Sequence, residues 1–260
     1  MNLATEANRT IKTNILRGVL EIKIDRPEAD NSINDLLLTE LLQTVRSVEH
    51  DNEVKVIVLT GNENHFCTGM DFQAVSSQHG DAIFQDDPNK YYELLKLFAS
   101  SAKIIISKVE GKVNAGGIGL IAASDIVLSG SRAVFSLSEA LFGLVPACVM
   151  PFLIRRLGHH KAQWMAMTTQ TISAERAFEL GLVDEYSDNV NDLLRRNLLR
   201  LNRLHPETTK TLKNYMGKLW IIDETTQQVA VDQIATLMQS EKVLSNIKNF
   251  VDKGIFPWDK

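Results

Sequence analysis

Only two cysteines, Cys67 and Cys148, occur among the 260 residues. That excludes a disulfide framework and leads us to expect a cytoplasmic protein. No apolar run reaches the ~18 residues that a bilayer-spanning helix needs. Residues 1–6 have neither the basic nor the apolar region of a signal peptide. No membrane association is expected. Basic charge is not in excess: 28 Lys and Arg stand against 32 Asp and Glu, for a net charge of −4. There is thus no global footprint for nucleic acid. His50, His65, His79, His159, His160 and His205 are scattered without ligand spacing, so no metal is expected. Walker and dinucleotide fingerprints are missing too, and no cofactor is expected.

What is present is apolar and periodic. Hydrophobic residues make up 44% of the chain, enough for one sizeable core. Residues 10–16 and 19–24 read as strands joined at Arg17-Gly18, and Arg26-Pro27 ends the second. Asn31 or Ser32 is placed to cap a helix. That helix carries Leu37, Leu38, Leu41, Leu42, Val45 and Val48 on one stripe. Residues 53–60 form the next strand. This grammar of strand, strand, helix recurs. Residues 76–90 lack periodicity and read as a loop, 91–102 as an amphipathic helix, and 104–109 as a buried strand. Strands are expected at 125–129 and 134–137. Helices are expected from Pro151 to Leu157 and between Ser173 and Gly181. From Asn189 onward no further strand is evident. A leucine stripe from Leu193 to Leu204 stops at Pro206, and 229–250 reads as further helix. The fold class is α/β, with a repeated ββα core over residues 1–188 and a helical segment over 189–260.

Two stretches stand out chemically. In Lys112-Val113-Asn114-Ala115-Gly116-Gly117-Ile118-Gly119-Leu120, glycines sit where a strand turns into a helix. Backbone N–H groups are unpaired there and face whatever lies beyond the helix. A plain tight turn would use the same residues. In His65-Phe66-Cys67-Thr68-Gly69-Met70-Asp71-Phe72, a second strand feeds a glycine loop, with Asp71 placed to cap the next helix. Two such units can each offer one N–H to a shared anion, the usual construction of an oxyanion hole. Glu139 lies in Phe135-Ser136-Leu137-Ser138-Glu139-Ala140-Leu141-Phe142 among apolar and small neighbours. Desolvation would raise its pKa toward a useful value. A dipole-stabilised Glu behind a capping Ser138 is the alternative. Cys67 has no base partner and reads as a packing residue.

Together these segments, with Arg26-Pro27, Val109-Glu110-Gly111 through Asp125-Ile126, and Phe142-Gly143-Leu144-Val145-Pro146, resemble the crotonase (enoyl-CoA hydratase/isomerase) superfamily over roughly residues 10–185. Lys112 to Gly117, Phe142 to Cys148 and the terminal Phe256-Pro257-Trp258 resemble one subgroup, the dehydratases of polyketide β-branching. Those enzymes act on 3-hydroxy-3-methylglutaryl groups carried by an acyl carrier protein.

The resemblance implies a spiral of ββα turns and a homotrimer or dimer of trimers, with the C-terminal helices packing on the core or a neighbouring subunit. It implies Glu139 as the catalytic carboxylate and the backbone N–H groups of Met70 and Gly116 as the oxyanion hole. Substrate contacts are expected at Asn114, Ala29 and Gly117, although Asn114 would equally suit a turn. The first of the two glutamates used by crotonase hydratases aligns with Gly119 and is absent. The activity implied is dehydration of a 3-hydroxy-3-methylglutaryl thioester on an acyl carrier protein. The alternatives are an enoyl-CoA hydratase or isomerase using acyl-CoA, and a non-catalytic acyl-binding protein. The basic segment Arg155-Arg156-Leu157-Gly158-His159-His160-Lys161 is either a solvated helix face or a dock for an acidic carrier.

Overall fold

A computed structural model describes residues 9–72, 88–220 and 223–259. Strands β1 (Ile11–Leu16) and β2 (Val19–Ile24) form a hairpin, turning at Arg17 and Gly18 with positive φ. Helix α1 (Asp35–Val48) follows and buries the expected leucine–valine stripe. Its cap is Asn34, whose side chain accepts the Leu37 N–H at 2.9 Å, rather than Asn31 or Ser32. Asn31 instead ties strands together. It accepts the Arg26 N–H and donates to the His65 carbonyl at 2.8 Å.

The chain then alternates between two sheets. Strands β3 (Val56–Thr60) and β4 (His65–Cys67) lead to α2 (Pro88–Ser100). Strands β5 (Ile104–Val109) and β6 (Lys112–Asn114) lead to α3 (Gly116–Ala123). Strands β7 (Ile126–Gly130) and β8 (Val134–Ser136) lead to a 3-10 turn at Glu139–Phe142 and to α4 (Met150–Leu157). After α5 (His159–Thr168) come β9 (Ile172–Ser173), α6 (Ala174–Leu180) and β10 (Glu185–Ser187). One sheet has the order β1-β2-β3-β5-β7-β10 and the other β4-β6-β8-β9. From β3 to β8 each ββα turn therefore adds one parallel strand to each sheet, which is the expected spiral. Strand β3 is buried throughout and pairs in parallel with β5 from Val56↔Ile104 to Thr60↔Lys108, as a sheet covered on both faces requires.

Several boundaries differ from expectation. Most of the expected loop at 76–90 lies outside the described residues, but from Pro88 the chain is helical. The segment 229–250 is two helices, α9 (Glu224–Met238) and α10 (Glu241–Lys253), preceded by α7 (Val190–Leu201) and α8 (Pro206–Leu219). Pro206 thus opens a helix, as proline at the first turn can. Strands β9 and β10 are too short to show alternation. The candidate span Asp71 and beyond also behaves differently: Asp71 is paired with buried Arg26 at 3.0 Å, and the helix it was to cap lies outside the described residues.

Helix α3 is the centre of the spiral. Gly117 through Ala123 are all buried, so it is apolar all round, as an enclosed helix must be. Its final carbonyls cannot be satisfied internally. Arg155 donates to the carbonyls of Ala122, Ala123 and Ser124, and Arg156 donates to Ser124 at 2.6 Å. The Arg155 guanidinium also lies over the Trp220 ring at 4.7 Å. Lys161 donates to the Leu180 carbonyl at 2.9 Å. Where the sequence offered a solvated helix face or a dock, these cations are engaged by carbonyls at helix ends, and two of them neutralise the negative end of α3. Arg155→Met and Arg156→Met should each lower unfolding free energy by about 2 kcal/mol, because each strands a buried carbonyl. Urea titration measures this, and an unchanged midpoint would mean that water replaces the guanidinium.

Candidate active site

The open end of α3 faces a cavity of about 760 Å³. Ala115, just before the helix, has φ 49° and ψ −120°. A non-glycine residue there stores roughly 1–3 kcal/mol of strain. It is held by its own N–H bond to the Ser136 carbonyl at 3.1 Å. The strain aims the first turn of α3, and with it the Gly116 N–H, which no described residue pairs, toward the cavity lined by both residues.

Met70 reaches the same place from β4. The Ile33 N–H donates to the Gly69 carbonyl at 2.7 Å, and the Asp71 N–H donates to the Ile33 carbonyl at 3.0 Å. Donors alternate in direction along an extended chain. The Met70 N–H therefore points away from Ile33, and Met70 lines the cavity. Gly69 lets the two segments meet. Its φ is +90°, and an added Cβ would lie 2.7 Å from the Ala115 Cβ and 3.2 Å from the Gly116 nitrogen. The structure thus brings the expected donor segments together through a backbone contact only glycine permits.

Glu139 opens the 3-10 turn and lines the same cavity. Its Oε2 is buried and has no hydrogen-bond partner among the described residues. Desolvation raises its pKa from 4.5 to about 7. Ser138 does not cap the turn with its side chain. Its Oγ accepts from Asn114 Nδ2 at 2.9 Å, while Ser136 Oγ donates to Asn114 Oδ1 at 2.8 Å. Asn114 lines the cavity, but its amide is occupied in joining β6 to Ser136 and Ser138, just before Glu139. Its geometry is that of a spacer between the glycine turn and the carboxylate.

Ala29 lines the mouth from the 3-10 turn Pro27–Ala29. Gly117 does not line the cavity. A Cβ there would meet the Cys67 carbonyl oxygen at 2.3 Å, so it is a close-packing residue against β4. Burial pushes the Cys67 thiol up to about 12, which leaves it inert.

Two features were not legible. The far wall comes from the C-terminal helices and tail: Met238, Phe250 and Phe256 line the cavity. Phe142 packs against Phe72 at 5.3 Å and Phe250 at 5.1 Å between ring centroids. These rings form an apolar wall of the cavity that Glu139 lines, with Phe142 in the same 3-10 turn. The second feature is Tyr91, on α2, whose hydroxyl donates to the Gly116 carbonyl at 2.6 Å. A Cβ on Gly119 would lie 2.0 Å from the Tyr91 Oη. The space a residue at 119 would use is filled from another helix. The only hint in the sequence is the glycine itself, since a missing side chain in a packed interior must be replaced.

Parallel strands of two sheets, wound around a buried helix whose open end faces a desolvated carboxylate, define a hydratase or dehydratase of the crotonase fold. The enoyl-CoA hydratase/isomerase family profile matches residues 14–260. Bacillaene synthase dehydratase PksH of Bacillus subtilis is 39% identical over 258 residues, covering 96% of this chain and 97% of that protein. The crystal structure of PksH superposes with a TM-score of 0.90 at 37% identity, over 96% of this chain and 100% of that one. Hydroxycinnamoyl-CoA hydratase-lyase of Pseudomonas fluorescens is 28% identical over 96% of this chain and 95% of its own length. The chain belongs to the enoyl-CoA hydratase/isomerase family and is an enzyme of the hydratase/dehydratase kind. The non-catalytic alternative is set aside.

A carboxyl whose folded pKa is raised favours its neutral form in the fold. The stability this adds is complete below about 4.5 and is lost as pH rises through about 7. Glu139→Gln should therefore match the wild type near the acid end and exceed it above neutrality, by up to about 3 kcal/mol. Acting as a base, Glu139 should put the acidic limb of kcat/KM at about 7. A limb near 4.5 would mean a solvated carboxylate.

Gly119→Ala should cost about 2 kcal/mol through overpacking against Tyr91. Adding Tyr91→Phe should recover part of it, a coupling that a double-mutant cycle reads directly. Strict additivity would contradict the contact.

Proposed function

We propose that this enzyme removes water from a 3-hydroxy-3-methylglutaryl thioester on an acyl carrier protein, giving a 3-methylglutaconyl thioester. The observation that carries the reading is a single desolvated carboxylate, Glu139, sharing a cavity with two converging N–H donors while Gly119 stands where a second carboxylate is expected. The likeness to a dehydratase of bacillaene synthase supports the polyketide setting.

The chemistry follows from these groups. The thioester oxygen lies between the Met70 and Gly116 N–H groups. As the Cα–H bond breaks, its electron pair moves toward the carbonyl and charge collects on that oxygen. Each preorganised donor lowers the barrier by roughly 3 kcal/mol. Glu139 takes the α-proton. The electron pair then forms the double bond and expels the 3-hydroxyl, which leaves as water with the proton from Glu139. A carboxylate poised near neutrality serves both steps, as base and then as acid. Asn114 keeps Glu139 at a fixed distance from the hole, and Ala29 borders the thioester arm.

The carrier-bound form is favoured by the acidic mouth. Glu28, with a side chain 71% exposed, and Asp30 both border the cavity entrance. They repel the phosphates of free CoA more than a carrier's single phosphodiester. Residues 189–260 act as the packing and assembly segment of a trimer or dimer of trimers, and the enzyme works in the cytoplasm.

Mass spectrometry of the acyl group on a carrier protein tests the reading. Loss of water is expected, with kcat/KM on carrier-bound substrate exceeding that on the CoA thioester by about tenfold or more. Preference for the CoA thioester of an unbranched enoyl or 3-hydroxyacyl chain would favour the enoyl-CoA hydratase alternative.

A further inference from the structure

We propose that the Tyr91 phenol oxygen takes the place of the family's missing first glutamate, accepts a hydrogen bond from the substrate's 3-hydroxyl, and holds that group for departure. The proposal deepens the dehydratase reading and rests on it.

The space decides first. With a Cβ at position 119 only 2.0 Å from Oη and 3.1 Å from Cζ, the Tyr91 phenol as it lies occupies the space that a side chain at 119 would use, and one of the two would have to move. What Tyr91 brings to that space is a different donor–acceptor inventory. A carboxylate there would be anionic and could share the base role. A phenol has one proton and two acceptor lone pairs. That proton is committed to the Gly116 carbonyl at 2.6 Å. The oxygen can then only accept, and the partner it suits is an O–H. The 3-hydroxyl of the substrate is such a donor in the cavity that Tyr91 and Glu139 share.

Tyr91 is also held in place. Its neighbour Tyr92 is fully buried and packs edge-on to Phe152 at 5.4 Å. Lys90, on its other side, pairs with Asp35. The phenol is thus fixed on a helix anchored at both flanking residues. Burial, with the nearby Cys148, Cys67 and Glu139 adding to it, keeps the phenol well above its ordinary pKa. It stays neutral throughout the working range, so it is neither base nor acid. The α-proton goes to Glu139, the C3–O bond breaks, and the same proton leaves Glu139 on the departing water. Tyr91 changes no bond of its own; its hydrogen bond turns the hydroxyl toward Glu139.

The test compares two reactions of Tyr91→Phe, which keeps the ring and its packing. One is dehydration of the 3-hydroxyacyl pantetheine thioester. The other is exchange of the α-proton with solvent deuterium in the analogue lacking the 3-hydroxyl, which needs only Glu139 and the two N–H donors. Dehydration kcat should fall about tenfold or more, with exchange within about twofold of wild type. Equal losses in both reactions would mean that Tyr91 acts only by bracing the Gly116 carbonyl. Unchanged dehydration would mean the hydroxyl is unused, and either result overturns the proposal while the dehydratase reading stands. A wild-type enzyme that exchanges α-protons but releases no water from any 3-hydroxyacyl thioester would instead overturn the dehydratase reading itself, and this proposal with it.

Discussion

Both ends of one enclosed helix must be satisfied, and the architecture follows from how each end is treated. Helix α3 is too buried for water to reach its C-terminal carbonyls, so Arg155 and Arg156 are brought in from α4 to meet them. No described residue closes the N-terminus in the same way. The glycines there admit the backbone of β4 instead, and the chain before the helix is bent into a strained conformation at Ala115. The helix dipole is thus neutralised at one end and left facing the cavity at the other. The spiral of ββα turns is what makes this possible. It places β4, β6 and β8 side by side, so the segments that follow them, at Met70, Gly116 and Glu139, converge on one spot.

The second requirement is a dry wall opposite the helix. Glu139 is expensive to ionise because it is buried, and Phe142, at the end of its 3-10 turn, packs against Phe250 and Phe256. Those rings come from residues more than a hundred positions apart, and α9 and α10 carry the outer part of the wall. The C-terminal helices therefore do more than pack: they contribute Ile234, Met238, Phe250 and Val251 to the cavity that Glu139 lines. A carboxyl whose pKa is raised to about 7 is destabilising once ionised, so the fold gives up stability above neutrality to keep Glu139 in its dry site.

Much of this was legible along the chain. The leucine–valine stripe of α1, the buried β3 and β5, and the capped helix between Ser173 and Gly181 all carry strong local periodicity or capping chemistry, and they stand where expected. The apolar setting of Glu139 was visible as well. What could not be read was whatever depends on a partner distant in sequence. Arg155 and Lys161 look like a surface patch until the carbonyls they meet are placed. Asn114 looks free until Ser136 and Ser138 fold back on it. Gly117 looks like part of a ligand cradle, yet its neighbour is the Cys67 carbonyl. Strands of two or three residues, such as β9 and β10, exist only because an adjacent strand offers them an edge.

The loss of a carboxylate at 119 changes more than the count of acids. Two carboxyl groups in one small site raise each other's pKa by like-charge repulsion, so a two-glutamate site obtains part of its shift from the pair itself. Here that contribution is absent, and desolvation is the cause that raises Glu139. The aromatic wall and the neutral phenol of Tyr91 are then two parts of one solution. The wall is apolar, and the phenol fills the space beside Gly119 without adding a charge that would hold Glu139 protonated to higher pH. A charged or well-hydrated group in place of Tyr91 would alter the poise of Glu139 even if it never touched a substrate. In this site, the residue that fills the space beside Gly119 is constrained by the same burial that raises Glu139.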